Sequence, residues 1–388
     1  MPSKTTFALA AVVGVFALTA AVVLTQEAKR EGAAEEAAAQ GPEPPQGGTW
    51  IVPARKVPAP AGAGDHLRDS IARTPAPDVE ARRRSVPKEA EDWNRLIALR
   101  QAQSLDLGVL AEAFKVKVEA EEIDGVAVHR VSPAKVDPQH AQDENVFLFL
   151  HGGAYVFGGG ENGVLEAVVI AARTGIPVLS VDYRMPPADP FPAAVEDVVK
   201  VYRHLLTSRE AGQIAIGGTS AGGGLSLAAV HRFIALDLPV PGAIYGGTPW
   251  ADLTKTGDTL FTLEGLDRVL IAYEGLLEAA ALLYADGHDL KDPLISPVYG
   301  DFTGFPPTFL VTGTRDMFLS DTARTHRELR RAGAVADLHV FEGLAHADYI
   351  LELRSPESEE TYAELAAFLL KHLGPKLGSK PGASSPVG

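Results

Sequence analysis

Ser220, Asp316 and His346 are the residues of this 388-residue chain whose types and order suit a nucleophilic reaction. In Ile214-Ala-Ile-Gly-Gly-Thr-Ser-Ala-Gly-Gly, Ser220 stands between Gly218 and Gly222. The segment opens with the short apolar run Ile214–Ile216 and the apolar stretch Leu225–Ile234 follows it, so the spacing predicts strand, sharp turn and helix with the hydroxyl at the apex. A hydroxyl is a weak nucleophile near neutral pH and requires an imidazole base, itself oriented by a carboxylate. On such an elbow the partners follow the serine in the order acid, then histidine. After the apolar run Phe309–Val311, His326 falls in a helical stretch, His339 in a strand and His372 in the last helix, whereas His346, in FEGLAHADY, lies on a loop after a strand. FLVTGTRDMF places Asp316 on the loop leaving the preceding strand, with Asp321 the next carboxylate along it.

Attack on an acyl carbon builds negative charge on the carbonyl oxygen, and each preorganised N–H donor lowers the barrier by roughly 2.7–4 kcal/mol. The run Val146–Leu150 leads into His151-Gly152-Gly153-Ala154. The amides of Gly152 and Gly153, unscreened by side chains, are the expected oxyanion donors together with the amide of Ala221 after the nucleophile. His151 precedes Ser220 in the chain and is read as shaping this loop. Glycines continue through Gly158-Gly159-Gly160, but neither a Lys-Ser/Thr pair nor a GxGxxG spacing into a helix follows, which sets a phosphate loop aside. Neither a metal nor an organic cofactor is implied.

These groups need a scaffold that brings three distant loops together. From His66 to Phe114 the pattern is helical, with Trp93, Leu96, Ile97, Leu110 and Phe114 at helical spacing. Alternation then takes over around Asp124-Gly125, a hairpin turn signal. Short apolar runs follow at Val146–Leu150, Val178–Val181, Ile214–Ile216, Ala243–Tyr245, Phe309–Val311 and Leu338–Phe341, separated by helical stretches at Gly163–Arg173, Ala193–Leu206 and Asp321–Arg331. Strands alternating with helices predict an α/β fold with a mainly parallel, doubly wound sheet and functional loops at the carboxyl ends of its strands.

A formal net charge of −15, with no basic stripe, argues against a nucleic-acid partner. The chain has no cysteine, which excludes a disulfide framework, a thiolate nucleophile and a Cys-ligated metal. Residues 7–25 form an uncharged apolar run after Lys4, read as a cleaved signal peptide or a retained membrane anchor. Either reading puts the catalytic domain outside the cytoplasm, periplasmic, secreted or membrane-tethered. Residues 26–64 are rich in Ala, Glu, Pro and Gly and are expected to be a disordered linker, as is the tail 375–388.

HGGA, GTSAGG and the late Asp and His resemble the bacterial hormone-sensitive lipase-like esterases, family IV of the α/β-hydrolase fold. VDYRMPPADPFPAAVED at 181–197, PWADLTKTGD at 249–258, DPLISPVYGD at 292–301 and FPPTFLVTGTRD at 305–316 extend the resemblance, which runs from about Asp65 to Leu373. Thr219 before the nucleophile resembles the GTSAG branch. Ala154 replaces a third glycine common in relatives, and Met317-Phe-Leu-Ser follows Asp316 where Pro-Leu is common. The resemblance implies a catalytic domain at 116–374 with a helical cap built from residues 65–115 and an insertion at about 252–291, which the helix-like apolar run from Leu266 to Tyr284 supports. It implies a carboxylesterase acting on small ester substrates of short to medium acyl length, by a Ser220–His346–Asp316 acyl-enzyme mechanism. Lactone opening and deacetylation use the same groups. A ligand-binding relative without turnover is the rival of another class.

Overall fold

The computed structural model describes residues 52–103, 106–134 and 145–374. The apolar run at 7–25, the linker as far as Ile51 and the tail from 375 lie outside the described residues. Four helices come first: α1 (Asp65–Arg73), α2 (Val79–Arg84), α3 (Ala90–Gln101) and α4 (Leu107–Phe114). They precede a hairpin of β1 (Val116–Ile123) and β2 (Val126–Pro133), turned at Asp124-Gly125 with both residues at positive φ, as a two-residue hairpin turn of the primed type demands. The alternating part comprises β3 (Val146–Leu150), α5 (Leu165–Thr174), β4 (Val178–Val181), α6 (Ala193–Leu206), β5 (Ile214–Thr219), α7 (Ala221–Ala235) and β6 (Ala243–Gly247). After the insertion, which holds α8 (Thr259–Thr262) and α9 (Leu276–Ala285), come β7 (Thr308–Gly313), α10 (Leu319–Arg331), β8 (Ala336–Phe341), α11 (Asp348–Leu351) and α12 (Pro356–His372).

The eight strands form one sheet in the order β1-β2-β4-β3-β5-β6-β7-β8. β1–β2 and β2–β4 pair antiparallel, and all later pairs are parallel. The six apolar runs are the six parallel strands, the later ones extending a few residues beyond their apolar cores. β3 to β7 are buried along their whole length because helices cover both faces. Leu148, Leu179, Ile216 and Ile244 pack under α6 and α7, while Phe147, Phe149, Val178 and Phe309 pack under α5 and α12.

Three expectations are altered by packing. Within 65–115, Leu67 of α1 and Leu107 and Leu110 of α4 join the core on the α5–α12 side; α3 meets the insertion through Trp93 against Leu276 and Ala280, and α2 meets it through Arg83, which bonds to Glu264. The run Leu266–Tyr284 is helical only from Leu276, since Gly275, with φ 95°, lies so close to the Arg82 carbonyl that a Cβ there would come within 2.3 Å of it. Residues 52–64 form no regular helix or strand, yet Pro60 and Ala63 are buried and Gly64 N donates to Glu357, so the linker reading does not extend to this end of the segment. Among the described residues no helix is long and apolar enough to cross a membrane.

Candidate active site

Parallel pairing lines up the carboxyl ends of β3, β5, β6, β7 and β8, and the loops leaving them hold the predicted residues. Ser220 occupies the junction between β5 and α7 with φ 62° and ψ −123°, a conformation unfavourable for a residue with a side chain. Backbone hydrogen bonds hold it: Ser220 N donates to Gly247 O at 2.8 Å, and Ser220 O accepts from Trp250 N at 2.9 Å and Gly224 N at 3.0 Å. Glycine flanks the serine because both α-carbons press on one atom; a Cβ on Gly218 or on Gly222 would lie 1.9 Å from Leu150 O. Ser220 is partly accessible where its neighbours from Ile214 to Leu225 are buried.

The same crowding brings the HGGA loop to the serine. A Cβ on Gly152 would meet Thr219 O at 2.8 Å and Ser220 Cβ at 3.4 Å. Gly153 turns the chain with φ 116°, and its carbonyl accepts from Val156 and Phe157. Ala221 opens α7 and is fully buried. His151 is a prop for this loop, not a partner of the serine. Its ring stacks on Tyr183 at 4.2 Å, its Nδ1 lies 2.8 Å from Gly152 O, and Tyr183 OH donates to His151 O at 2.7 Å. Burial lowers the His151 pKa and so favours the neutral imidazole, opposed by the bond to Gly152.

Asp316 and His346, on the loops after β7 and β8, are brought together. His346 Nδ1 lies 3.2 Å from Asp316 Oδ1, which fixes the proton on Nδ1 and leaves Nε2 as the unprotonated nitrogen. Asp316 Oδ1 also accepts from Phe318 N at 2.8 Å, while Oδ2 accepts from Thr312 at 2.8 Å and from Thr248. Burial of this wholly enclosed carboxyl disfavours its charge; the bond to His346 and the imidazole's positive charge, aided by Thr248 and Phe318 N, outweigh that and hold its pKa below the ordinary aspartate value. Asp321 sits one turn further on, in α10, where its Oδ2 accepts from Asp252 N at 3.0 Å, and burial followed by the Asp252 charge pushes it well up.

Several residues at the site were not evident from the sequence. Thr248, after β6, is 3.0 Å from His346 Nδ1 and bridges toward Asp316. Asp267, from the insertion, is fully buried and accepts from Met317 N at 2.9 Å, directly beside Asp316. Its neighbour Arg268 binds Asp348 and Glu352, each at 2.9 Å, and Ser70 of α1 at 2.9 Å. Asp348 in turn accepts from Ala345 N at 2.8 Å, closing the histidine loop. The sequence signal for Thr248 is its position just past an apolar run; the neighbours that matter become visible only with the strand order.

The family model for the α/β hydrolase fold matches residues 147–350, which takes in β3 to α11 and every residue named on these loops. The chain belongs to the α/β-hydrolase fold family. An acetyl-hydrolase of Streptomyces hygroscopicus is 32% identical over 229 residues, covering 59% of this chain and 76% of that protein. The crystal structure of esterase E25 superposes with a TM-score of 0.80 and 47% identity, covering 84% of this chain and 99% of that one. An esterase of the bacterial hormone-sensitive lipase family superposes with a TM-score of 0.66 and 29% identity, covering 80% and 98%. The resemblance to bacterial hormone-sensitive lipase-like esterases read from the sequence is thus matched by the family model and by these solved structures.

Proposed function

We propose that this chain hydrolyses carboxylic esters of short to medium acyl length, with Ser220 as nucleophile, His346 as base and then acid, and Asp316 as the carboxylate that orients the imidazole. One conjunction carries the reading: a serine at φ 62° abutting Gly152, and a histidine whose Nδ1 is 3.2 Å from a buried carboxylate, on loops leaving the carboxyl ends of the strands of one sheet. Ser220 Oγ bonds to the acyl carbon while its proton passes to His346 Nε2, and the carbonyl electron pair moves onto oxygen before the amides of Gly152, Gly153 and Ala221. Collapse expels the alcohol, which takes the proton from Nε2. Water then loses a proton to the same nitrogen and attacks the acyl-serine; the bond from the acyl carbon to Oγ breaks, Ser220 Oγ takes the proton back from Nε2, and the carboxylic acid is freed. Acid should silence the enzyme, since a protonated imidazole accepts nothing from the serine.

The acetyl-hydrolase among the relatives supports a short acyl group, and Thr219 before the nucleophile supports the GTSAG branch. A panel of p-nitrophenyl esters from acetate to palmitate, with emulsified triglyceride alongside, tests the reading. Acetate to hexanoate should be cleaved fastest; a purified protein that cleaves none of them, or that prefers the emulsion, overturns it. We further infer that the domain works outside the cytoplasm, because residues 7–25 are uncharged and apolar and a long polar or small-residue stretch follows. Finding the full-length chain soluble in cytosol with residues 1–25 retained would contradict this.

A further inference from the structure

Beneath the elbow lies a group of buried polar side chains that the reaction as described does not use. Thr219, the residue before Ser220, points its hydroxyl away from the substrate side. Its Oγ1 donates to Glu166 Oε1 of α5 at 2.8 Å and lies 2.8 Å from Tyr349 OH and 3.2 Å from Tyr245 OH. Tyr245 OH is 3.1 Å from Glu166 Oε1 and 3.1 Å from Tyr349 OH. Tyr349 belongs to α11, three residues after His346. The hydroxyls converge on Gly247, where a Cβ would lie 2.2 Å from Tyr349 OH, 2.4 Å from Thr219 Oγ1 and 2.5 Å from Tyr245 OH. The carbonyl of that same Gly247 accepts the Ser220 amide.

We propose that Glu166, Thr219, Tyr245 and Tyr349 form a positioning network that fixes Ser220 and His346 relative to each other from beneath the sheet. The inference rests on the esterase reading, in which those two side chains exchange a proton. Each is only a few backbone bonds from the cluster, Ser220 through Thr219 and His346 through Tyr349, so the cluster is a short cross-link between two loops 126 positions apart in sequence. Donor counting gives it a direction. With Glu166 ionised, the Thr219, Tyr245 and Tyr349 hydroxyls bring one proton each and the carboxylate none, so the consistent arrangement runs Tyr349 to Thr219 to Glu166, with Tyr245 also donating to Glu166. Ionised Glu166 is thus the terminal acceptor that orients the rest. Burial raises its carboxyl to about 7, against the pull of the Thr219, Tyr245 and Tyr362 hydroxyls. Apolar side chains would fill the same space without burying a carboxyl. What they would not supply is a directional bond that sets the loop-to-loop distance, and a misplacement of about 1 Å costs on the order of 10²-fold in rate.

The test uses Thr219→Val, Tyr349→Phe, Glu166→Gln and the conservative Thr219→Ser, each with thermal unfolding, kcat and KM on p-nitrophenyl acetate, and the rate at which a fluorophosphonate labels Ser220. Labelling forms a Ser220 Oγ–P bond and expels fluoride, with the serine proton passing to His346. Thr219→Val and Tyr349→Phe should lower kcat and the labelling rate roughly ten- to a hundred-fold with KM little changed, and Thr219→Ser should recover most of the loss. In a His346→Ala background the same substitutions should slow labelling no further, because the effect acts through the base. Folded Thr219→Val and Tyr349→Phe variants with wild-type kcat and labelling rate overturn the proposal, as does a loss that persists undiminished without His346. Should Thr219→Val fail to fold, Tyr349→Phe and Glu166→Gln, in which a loss of the same order is expected, decide in its place. A wild-type protein that cleaves no ester but is labelled at Ser220 sinks the esterase reading while labelling still decides the network; a Ser220 inert to the probe overturns both.

Discussion

Asp316 and Asp267 are both fully buried and close enough to feel each other's charge, yet the structure treats their protons in opposite ways. Asp316 stands at the end of β7 facing His346, and its four acceptor positions are filled by His346, Phe318 N, Thr312 and Thr248. Asp267 comes from the insertion and its partners are backbone amides of Val269, Leu270 and Met317. Burial and then the Asp316 charge push Asp267 up to about 6, while Asp316 is held low. Burial alone therefore does not make a catalytic acid. On the proposed mechanism a histidine partner and a place at a strand end distinguish Asp316, and Asp267 serves by holding the backbone next to it.

That contrast rests on Ser220 and His346 reacting as a unit. Ser220→Ala and His346→Ala should each lower kcat roughly 10⁴-fold or more, and the double variant should be hardly worse than either. Losses that multiply, or an Ser220→Ala protein keeping more than about a tenth of kcat, would break the coupled mechanism. Asp316→Asn comes next, with an expected fall of roughly 10³–10⁴-fold, because an amide NH₂ facing Nδ1 favours the wrong tautomer. Steady-state kinetics on one activated ester measures all four.

Much of this arrangement was legible because each predicted catalytic residue follows an apolar run, and six such runs became the six parallel strands. Ser220, Asp316 and His346 needed only loop position and chain order. Asp267 was hidden for the opposite reason: it lies in Leu266–Tyr284, whose composition is helical throughout. There Asp267 itself receives the amides of Val269 and Leu270 in a local turn, and the approach of Arg82 O to Gly275 delays the helix to Leu276. Glu166, Thr219, Tyr245 and Tyr349 were equally hidden, since residues on α5, β5, β6 and α11 meet only through the strand order.

Asp267→Asn sharpens the comparison on its other side. Oδ2 accepts from Met317 N and Oδ1 from the Val269 and Leu270 amides, so the one oxygen of the amide keeps Met317 N by giving up the local turn on the insertion; with the Met317 contact kept, kcat should fall roughly ten-fold or less. The charge changes too. Once ionised, above about pH 6, Asp267 favours a positive imidazole, so removing it should move the acid limb of the pH–rate profile to lower pH. A loss as large as that of Asp316→Asn, or an acid limb that moves upward, would make Asp267 part of the acid machinery itself.

The smallest effect on rate is expected at Asp321, the next carboxylate after Asp316, in α10. Its Oδ2 is occupied by Asp252 N and its charge is opposed by burial and by the Asp252 carboxylate, itself paired with Arg324. Asp321→Asn should leave kcat within about two-fold of wild type. Its signature lies in stability. A carboxyl whose pKa is raised on folding contributes stability that is complete below its unfolded pKa and is lost as pH rises through the folded value. Replacing Asp321 removes that loss, so the variant should melt at a higher temperature than wild type near pH 8, and the two curves should converge as pH falls toward about 4. Thermal unfolding of both proteins across that range measures the gap. If it widened toward acid, the raised pKa would be wrong; if kcat instead collapsed as far as in Asp316→Asn, the acid of the triad would have to be reassigned to Asp321.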